Sequence, residues 1–135
     1  DTGLFYTREN NGFNMLYLTD PDPRGSMGLA GKAAVGLNLG SIGDFLTAID
    51  PKTGRVAWRR KLYAGGAGGL LTTAGGVLFS SDGSGNFVAY DARNGNPLWH
   101  TRIANISNAP QTYSIDGRQH VLVAVGDTLY AFVMY

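Results

Sequence analysis

Two stretches of this chain superimpose without a gap. Ala48-Ile-Asp-Pro-Lys-Thr-Gly-Arg-Val-Ala-Trp58 and Ala89-Tyr-Asp-Ala-Arg-Asn-Gly-Asn-Pro-Leu-Trp99 both read A-x-D-x-x-[T/N]-G-x-x-x-W, and 41 positions separate them. About the same step further on, Leu129-Tyr-Ala-Phe132 repeats the first half, with Val133 where the Asp would stand. A period of ~40 residues made of short strands is the spacing of a β-propeller, whose blades are sheets of about four strands. Such a chain stacks copies of one small antiparallel sheet instead of building a single wrapped core.

The local pattern agrees with an all-β chain. Gly76-Val-Leu-Phe-Ser-Ser, Asp82-Gly-Ser-Gly and Asn86-Phe-Val-Ala-Tyr read as strand, turn and strand. His120-Val-Leu-Val-Ala-Val, Gly126-Asp127 and Thr128-Leu-Tyr-Ala-Phe repeat that hairpin with a tighter turn. Arg55-Val-Ala-Trp-Arg-Arg-Lys-Leu and Pro97-Leu-Trp-His-Thr-Arg-Ile are the strands expected after each A-x-D turn. Gly3-Leu-Phe-Tyr-Thr and Asn14-Met-Leu-Tyr-Leu supply two earlier strands, and the Gly/Pro/Asp-rich residues 20–41 read as a long loop. No segment carries a helical period. The expectation is a partial propeller of two and a half to three blades: residues 1–62 with a loop insertion, 63–103, and an incomplete 104–135.

The repeated residues each have a physical role. Asp50 and Asp91 can cap a turn by accepting backbone N–H bonds, and Thr53 and Asn94 share the motif's sixth position. Gly54 and Gly95 stand where the turn requires a positive φ. Ala48 and Ala89 are small enough to leave room for a ring. Trp58 and Trp99 each bring a flat apolar face and one N–H to satisfy, which suits a buried seam between blades.

Composition removes several classes of function. Lys plus Arg number 11 and Asp plus Glu 10, so no broad basic face for nucleic acid is expected. A hydrophobic content of 44% is too high for a disordered chain, and no apolar run reaches the ~18 residues of a membrane span. The absence of Cys excludes disulfides, thiolate metal sites and a Cys nucleophile within these residues. The chain opens at Asp1 without a Met or signal peptide, which reads as a processed or cropped product.

Candidate sites are few. Asp82-Gly-Ser-Gly-Asn86 imitates the start of a calcium loop, but Arg93 stands where the bidentate Glu belongs, so a hairpin turn accounts for it. His100 and His120 are far apart and lack a carboxylate pattern, and Arg59-Arg-Lys61 reads as a solvated outer strand. No nucleophile triad, Walker loop or dinucleotide-binding glycine pattern is present, so no catalytic residue is assigned.

At the A-x-D-x-x-[T/N]-G-x-x-x-W repeat the chain resembles the tryptophan-docking motif of the quinoprotein alcohol dehydrogenases. Thr2-Gly-Leu-Phe-Tyr, Gly68-Gly-Leu-Leu-Thr-Thr-Ala-Gly-Gly-Val-Leu-Phe and Pro110-Gln-Thr-Tyr-Ser-Ile-Asp-Gly-Arg-Gln-His-Val are similar to the final blades of that family. The resemblance runs nearly end to end, apart from residues 20–41. It implies an eight-bladed propeller whose full-length form carries pyrroloquinoline quinone and calcium on its axis. Such an enzyme passes hydride from an alcohol or sugar to the quinone. The family's catalytic Asp and calcium ligands lie in upstream blades, so these residues alone are expected to bind neither group and to be inactive.

One position near the quinone aligns: the family's Trp before Gly-Gly is Ala67 here, followed by Gly68 and Gly69, whose bare backbone could approach a flat ligand. The Gly-Gly-Trp frequent near the family's C-terminus is replaced by Ala124-Val-Gly-Asp-Thr. The alternative is a non-catalytic propeller scaffold that binds proteins through its blades. Either reading implies the remaining blades as partner, and the resemblance implies a periplasmic or secreted location. Open sheet edges in so short a propeller would also favour an edge-paired or strand-swapped homo-oligomer.

Overall fold

The computed structural model describes residues 2–18, 34–63 and 68–134, with the side chains of 16–18 and 34–37 left aside. All regular structure in it is strand. In chain order the strands are β1 (Phe5–Leu18), β2 (Ala34–Ile49), β3 (Val56–Lys61), β4 (Leu71–Thr72) and β5 (Val77–Ser81). After them come β6 (Asn86–Asp91), β7 (Pro97–Arg102), β8 (Gln111–Ile115), β9 (Arg118–Val125) and β10 (Thr128–Val133).

They form three sheets, each built from consecutive neighbours: β1-β2-β3, β4-β5-β6-β7 and β8-β9-β10. Only the middle sheet shows four strands among the described residues. By its register, the first sheet matches the second to fourth strands of the middle one. In the first sheet Ala48 pairs with Trp58, and the register shifts between Ala48 and Ile49. In the middle sheet Ala89 pairs with Trp99, and the shift falls between Ala89 and Tyr90. The sequence repeat is therefore a repeat of pairing geometry: small Ala opposite large Trp, then a bulge that turns the chain into the Asp turn.

The chain divides into two compact units, Asn11–Gly43 and the remainder. In the first, the outer parts of β1 and β2 are neighbours in one sheet. Asn11 Nδ2 donates to the Gly43 carbonyl at 3.3 Å and Ser41 Oγ to the Asn11 carbonyl at 3.0 Å. Of the loop expected over residues 20–41, residues 20–33 lie outside the described residues, and the rest differs from the expectation. Residues 34–41 are strand, not loop, and the two early strands are one continuous strand, Phe5–Leu18. Val35, Leu37 and Leu39 do alternate with Gly, Asn and Gly, but glycine's low strand preference masked that period.

The larger unit holds two apolar cores. Leu46, Leu62, Leu78, Val88, Tyr90 and Ala92 make one, with Tyr6, Trp58 and Leu70 against it. Phe79, Phe87, Ala89, Ile106, Val121 and Val123 make the other. Central strands β5 and β6 contribute to both, which is why Leu78 and Phe87 are fully buried while β7 is largely exposed. Burying a ring the size of Phe87 contributes roughly 2–3 kcal/mol. The middle sheet is thus sandwiched, as a blade between blades must be.

Candidate functional site

The two motif turns are built alike. Lys52 N donates to Asp50 Oδ1 and Arg93 N to Asp91 Oδ1, both at 2.8 Å. Thr53 Oγ1 donates to Asp50 Oδ2 at 2.8 Å, and Asn94 Nδ2 to Asp91 Oδ2 at 3.2 Å. Gly54 N and Gly95 N reach back to the Asp50 and Asp91 carbonyls, each at 2.8 Å. Gly54 and Gly95 adopt φ of 69° and 73°, a region that costs a side-chain-bearing residue roughly 1–2 kcal/mol. Hydrogen bonds from Lys52 N and Thr53 hold the Asp50 carboxyl below its ordinary range.

Half-buried Trp58 lies on the second of these turns. Its indole Nε1 donates to the Ala92 carbonyl at 3.0 Å. Its ring covers Gly95 so closely that a Cβ there would come within 2.6 Å of Trp58 Cε3. Tyr6 adds a tilted ring at 6.0 Å from Trp58 and its own hydroxyl donates to the same Ala92 carbonyl at 2.9 Å. One carbonyl thus receives donors from two strands of the neighbouring sheet.

Trp99 differs, and the expectation of a buried ring fails there. It is 43% exposed. Phe87 and Phe132 hold one side of it, with ring centroids at 6.2 and 5.5 Å, both edge-on. No described residue accepts a hydrogen bond from its N–H.

Of the residues expected near a flat ligand, Ala67 lies outside the described residues. Gly68 and Gly69 are packed by protein. A Cβ on Gly68 would meet Ser81 Oγ at 2.7 Å and the Ile106 carbonyl at 3.1 Å, and one on Gly69 would meet Ala109 Cβ at 2.6 Å. Arg8, which no sequence signal singles out, closes this corner. Its Nη1 donates to the Gly68 carbonyl and to Ser81 Oγ, both at 2.9 Å. Burial pushes the Arg8 guanidinium below its usual value, opposed by Tyr90, Asp44 and Asp82.

The remaining candidates resolve into structure. The Asp82 carboxylate accepts from Ser84 N and Oγ and from Asn86 N and Nδ2, with the shortest at 2.6 Å. Its oxygens are therefore occupied by its own turn. His120 stacks on Tyr113 at 5.0 Å, with Nδ1 3.0 Å from the Arg118 carbonyl oxygen. His100 lines an open groove of about 280 Å³ with Arg60, Lys61 and Tyr90. Arg59 pairs with Glu9, which also accepts from Thr47 Oγ1, and its guanidinium sits 3.9 Å over the Phe45 ring.

Among the described residues no three His, Cys, Asp or Glu side chains gather as metal ligands. The described residues therefore do not fit a calcium site. The described residues also include no helix long and apolar enough to cross a membrane.

Comparison with known proteins gives the geometry its context. The chain is 36% identical over 129 residues to the quinoprotein alcohol dehydrogenase PedH of Pseudomonas putida, covering 93% of this chain and 22% of that one. It is 44% identical over 82 residues to the quinohemoprotein alcohol dehydrogenase of Comamonas testosteroni, covering 60% of this chain and 12% of the relative. Among solved structures, a europium-containing methanol dehydrogenase superimposes with a TM-score of 0.77 at 25% identity, over 90% of this chain and 22% of that one. The Comamonas testosteroni enzyme gives 0.69 at 31% identity, over 93% of this chain and 20% of that one. The chain therefore spans about a fifth of the length of such relatives. A family model described as outer membrane protein assembly factor BamB matches residues 43–133. With its blade-like sheets, its repeated Ala–Trp register and that match, the chain belongs to the PQQ_2 family of β-propeller proteins and is blade material similar to the quinoprotein alcohol dehydrogenases.

Proposed function

We propose that this chain is the C-terminal part of a pyrroloquinoline-quinone-dependent dehydrogenase that oxidises alcohols or sugars by hydride transfer to the quinone. The observation that carries the reading is the similarity to PedH over 93% of the chain, well beyond the motif repeat alone. In this reading residues 1–62, 63–103 and 104–135 are successive blades, and A-x-D-x-x-[T/N]-G-x-x-x-W is a docking device between them. The contact of Trp58 with Ala92 and Gly95 supports that role. Ala67, Gly68 and Gly69 form the part of the chain nearest the quinone, while calcium ligands and the catalytic base belong to other blades. The protein works in the periplasm or outside the cell. By the open-edge argument, isolated copies associate by edge pairing or strand exchange.

The chain by itself is inactive in this reading. Titrating it with pyrroloquinoline quinone and calcium, followed by absorbance, should give no saturable binding in the micromolar range. Saturable binding there would mean that these residues hold far more of the site than the reading allows. A second reading, a cofactor-free scaffold that binds proteins through its blades, is favoured by the assembly-factor description of the matched family and by Ala67 in place of Trp.

A further inference from the structure

A groove of about 280 Å³ is lined from β3 of the first sheet and from β6 and β7 of the middle one. Strand alternation decides which side chains face it. Val88 and Tyr90 stand two apart on β6 and pack with Leu46 of the first sheet. His100 is the cross-strand partner of Val88 on β7, so all three share one face. From β3, Trp58 packs against that same core, and Arg60, two residues on, faces the same way. The Arg60 guanidinium carbon sits 6.0 Å from the centre of the Tyr90 ring. Lys61 adds a second positive residue to the lining.

These groups are uncommitted. Among the described residues none accepts a hydrogen bond from the Arg60 guanidinium or the Tyr90 hydroxyl, and none bonds the His100 ring. Tyr90 is only 3% exposed, and a hydroxyl so deeply placed is costly to leave unpaired. Burial pushes its phenol above the ordinary value of 10.0, with Asp82 adding to the shift and Arg60 and Arg8 opposing it, so at neutral pH it is a donor. Asp82 is the one carboxylate among the described lining residues, and its oxygens are held by Ser84 and Asn86.

We propose that this groove binds a small oxyanion, gripped by the Arg60 guanidinium and accepting hydrogen bonds from the Tyr90 hydroxyl and the His100 ring. The donors set the chemistry. A guanidinium presents its N–H groups in a fork that matches the oxygens of a carboxylate or a phosphate. The phenol beside it supplies one directional O–H. A cation would be repelled by Arg60, and an apolar molecule would leave these donors unpaired. Leu62, Val88 and Pro97 give the groove an apolar wall next to them. Its volume falls just under that of sites for drug-sized molecules, so the ligand is small. The proposal is independent of the quinone reading.

The test is titration calorimetry of the polypeptide that carries this chain, with inorganic phosphate and separately with sodium benzoate, at constant ionic strength. At least one of the two should bind saturably. Arg60→Gln should weaken that binding roughly tenfold or more, and Tyr90→Phe roughly tenfold, the size of a lost hydrogen bond to a charged group. Arg118→Gln removes an exposed guanidinium on β9, outside the groove, and should leave the affinity unchanged. Preference for phosphate would support a phosphate-bearing ligand, and preference for benzoate an organic acid. Should Arg60→Gln fail to fold, Tyr90→Phe, which keeps the ring, must still weaken binding. Absence of saturable binding by either anion would overturn the proposal. So would native affinity in Arg60→Gln or Tyr90→Phe. A loss in Arg118→Gln as large as that in Arg60→Gln would also overturn it, by assigning the binding to diffuse surface charge.

Discussion

The indole N–H of Trp58 meets the carbonyl of Ala92 at 3.0 Å, joining the last strand of the first sheet to the turn that ends the third strand of the next. The bond explains why the repeat keeps its own spacing. A Trp placed ten residues after an Ala reaches its acceptor only if the next sheet repeats the same turn at the same step. Gly95 is part of the same arrangement, because any side chain there would occupy the space of the ring.

Substituting the two turn glycines by Ala separates backbone strain from seam packing. Gly54→Ala should cost only the positive-φ strain, roughly 1–2 kcal/mol, since among the described residues no atom stands in the way of its Cβ. Gly95→Ala carries that same strain plus overpacking against Trp58, roughly a further 1–3 kcal/mol. Urea unfolding of both variants measures the difference. Equal losses would mean that the Trp58 ring does not seal Gly95.

The two tryptophans should differ, although their motifs are the same. Trp58→Ala, which strips a half-buried ring and a bonded N–H, should cost about 3 kcal/mol, near the lower end for large aromatic truncations. Trp99→Ala should cost less, about 2 kcal/mol by the same scale, because 43% of that residue is already in water. Trp58→Phe keeps most of the ring and loses the N–H, at about 1 kcal/mol. Thermal and urea unfolding give all three, and a larger loss at Trp99 than at Trp58 would contradict the seam assignment.

Acid should destabilise the chain partly through Asp82. Burial works to raise its pKa, but hydrogen bonds from Asn86 and Ser84 outweigh it and leave the carboxyl below its ordinary 3.8. A depressed native pKa contributes stability above the unfolded value, and that contribution is lost as pH falls from about 3.8 through the native value. The melting temperature should therefore drop below that pH, and Asp82→Asn should shallow the drop. An Asp82→Asn variant with the same acid limb as the native chain would show that the turn does not hold the carboxylate.

The sequence disclosed what its repeat could encode. Ala48, Asp50, Gly54 and Trp58 with their counterparts Ala89, Asp91, Gly95 and Trp99 were legible because each occurs twice at one spacing. The strand character of residues 34–41 was not, because glycines at 36 and 40 look like loop while pairing with β1 makes them strand. Arg8 was invisible for a different reason: its partners Gly68 and Ser81 lie 60 and 73 residues away, and no periodicity announces a single long-range clamp. Nor could two copies of one motif reveal that Trp58 finds an acceptor and Trp99 does not, since that depends on whether a second motif turn stands beside each ring in space.

Reconstitution tests most directly the proposal that these blades belong to a quinone-dependent dehydrogenase. The polypeptide that carries this chain, purified from cells that make no quinone, should be assayed for dye-linked oxidation of a panel of primary alcohols and sugars. The expected result is no turnover at first and oxidation of at least one alcohol or sugar once both pyrroloquinoline quinone and calcium are added. A folded protein that gains no turnover on any of them would contradict the account and leave the scaffold reading in its place.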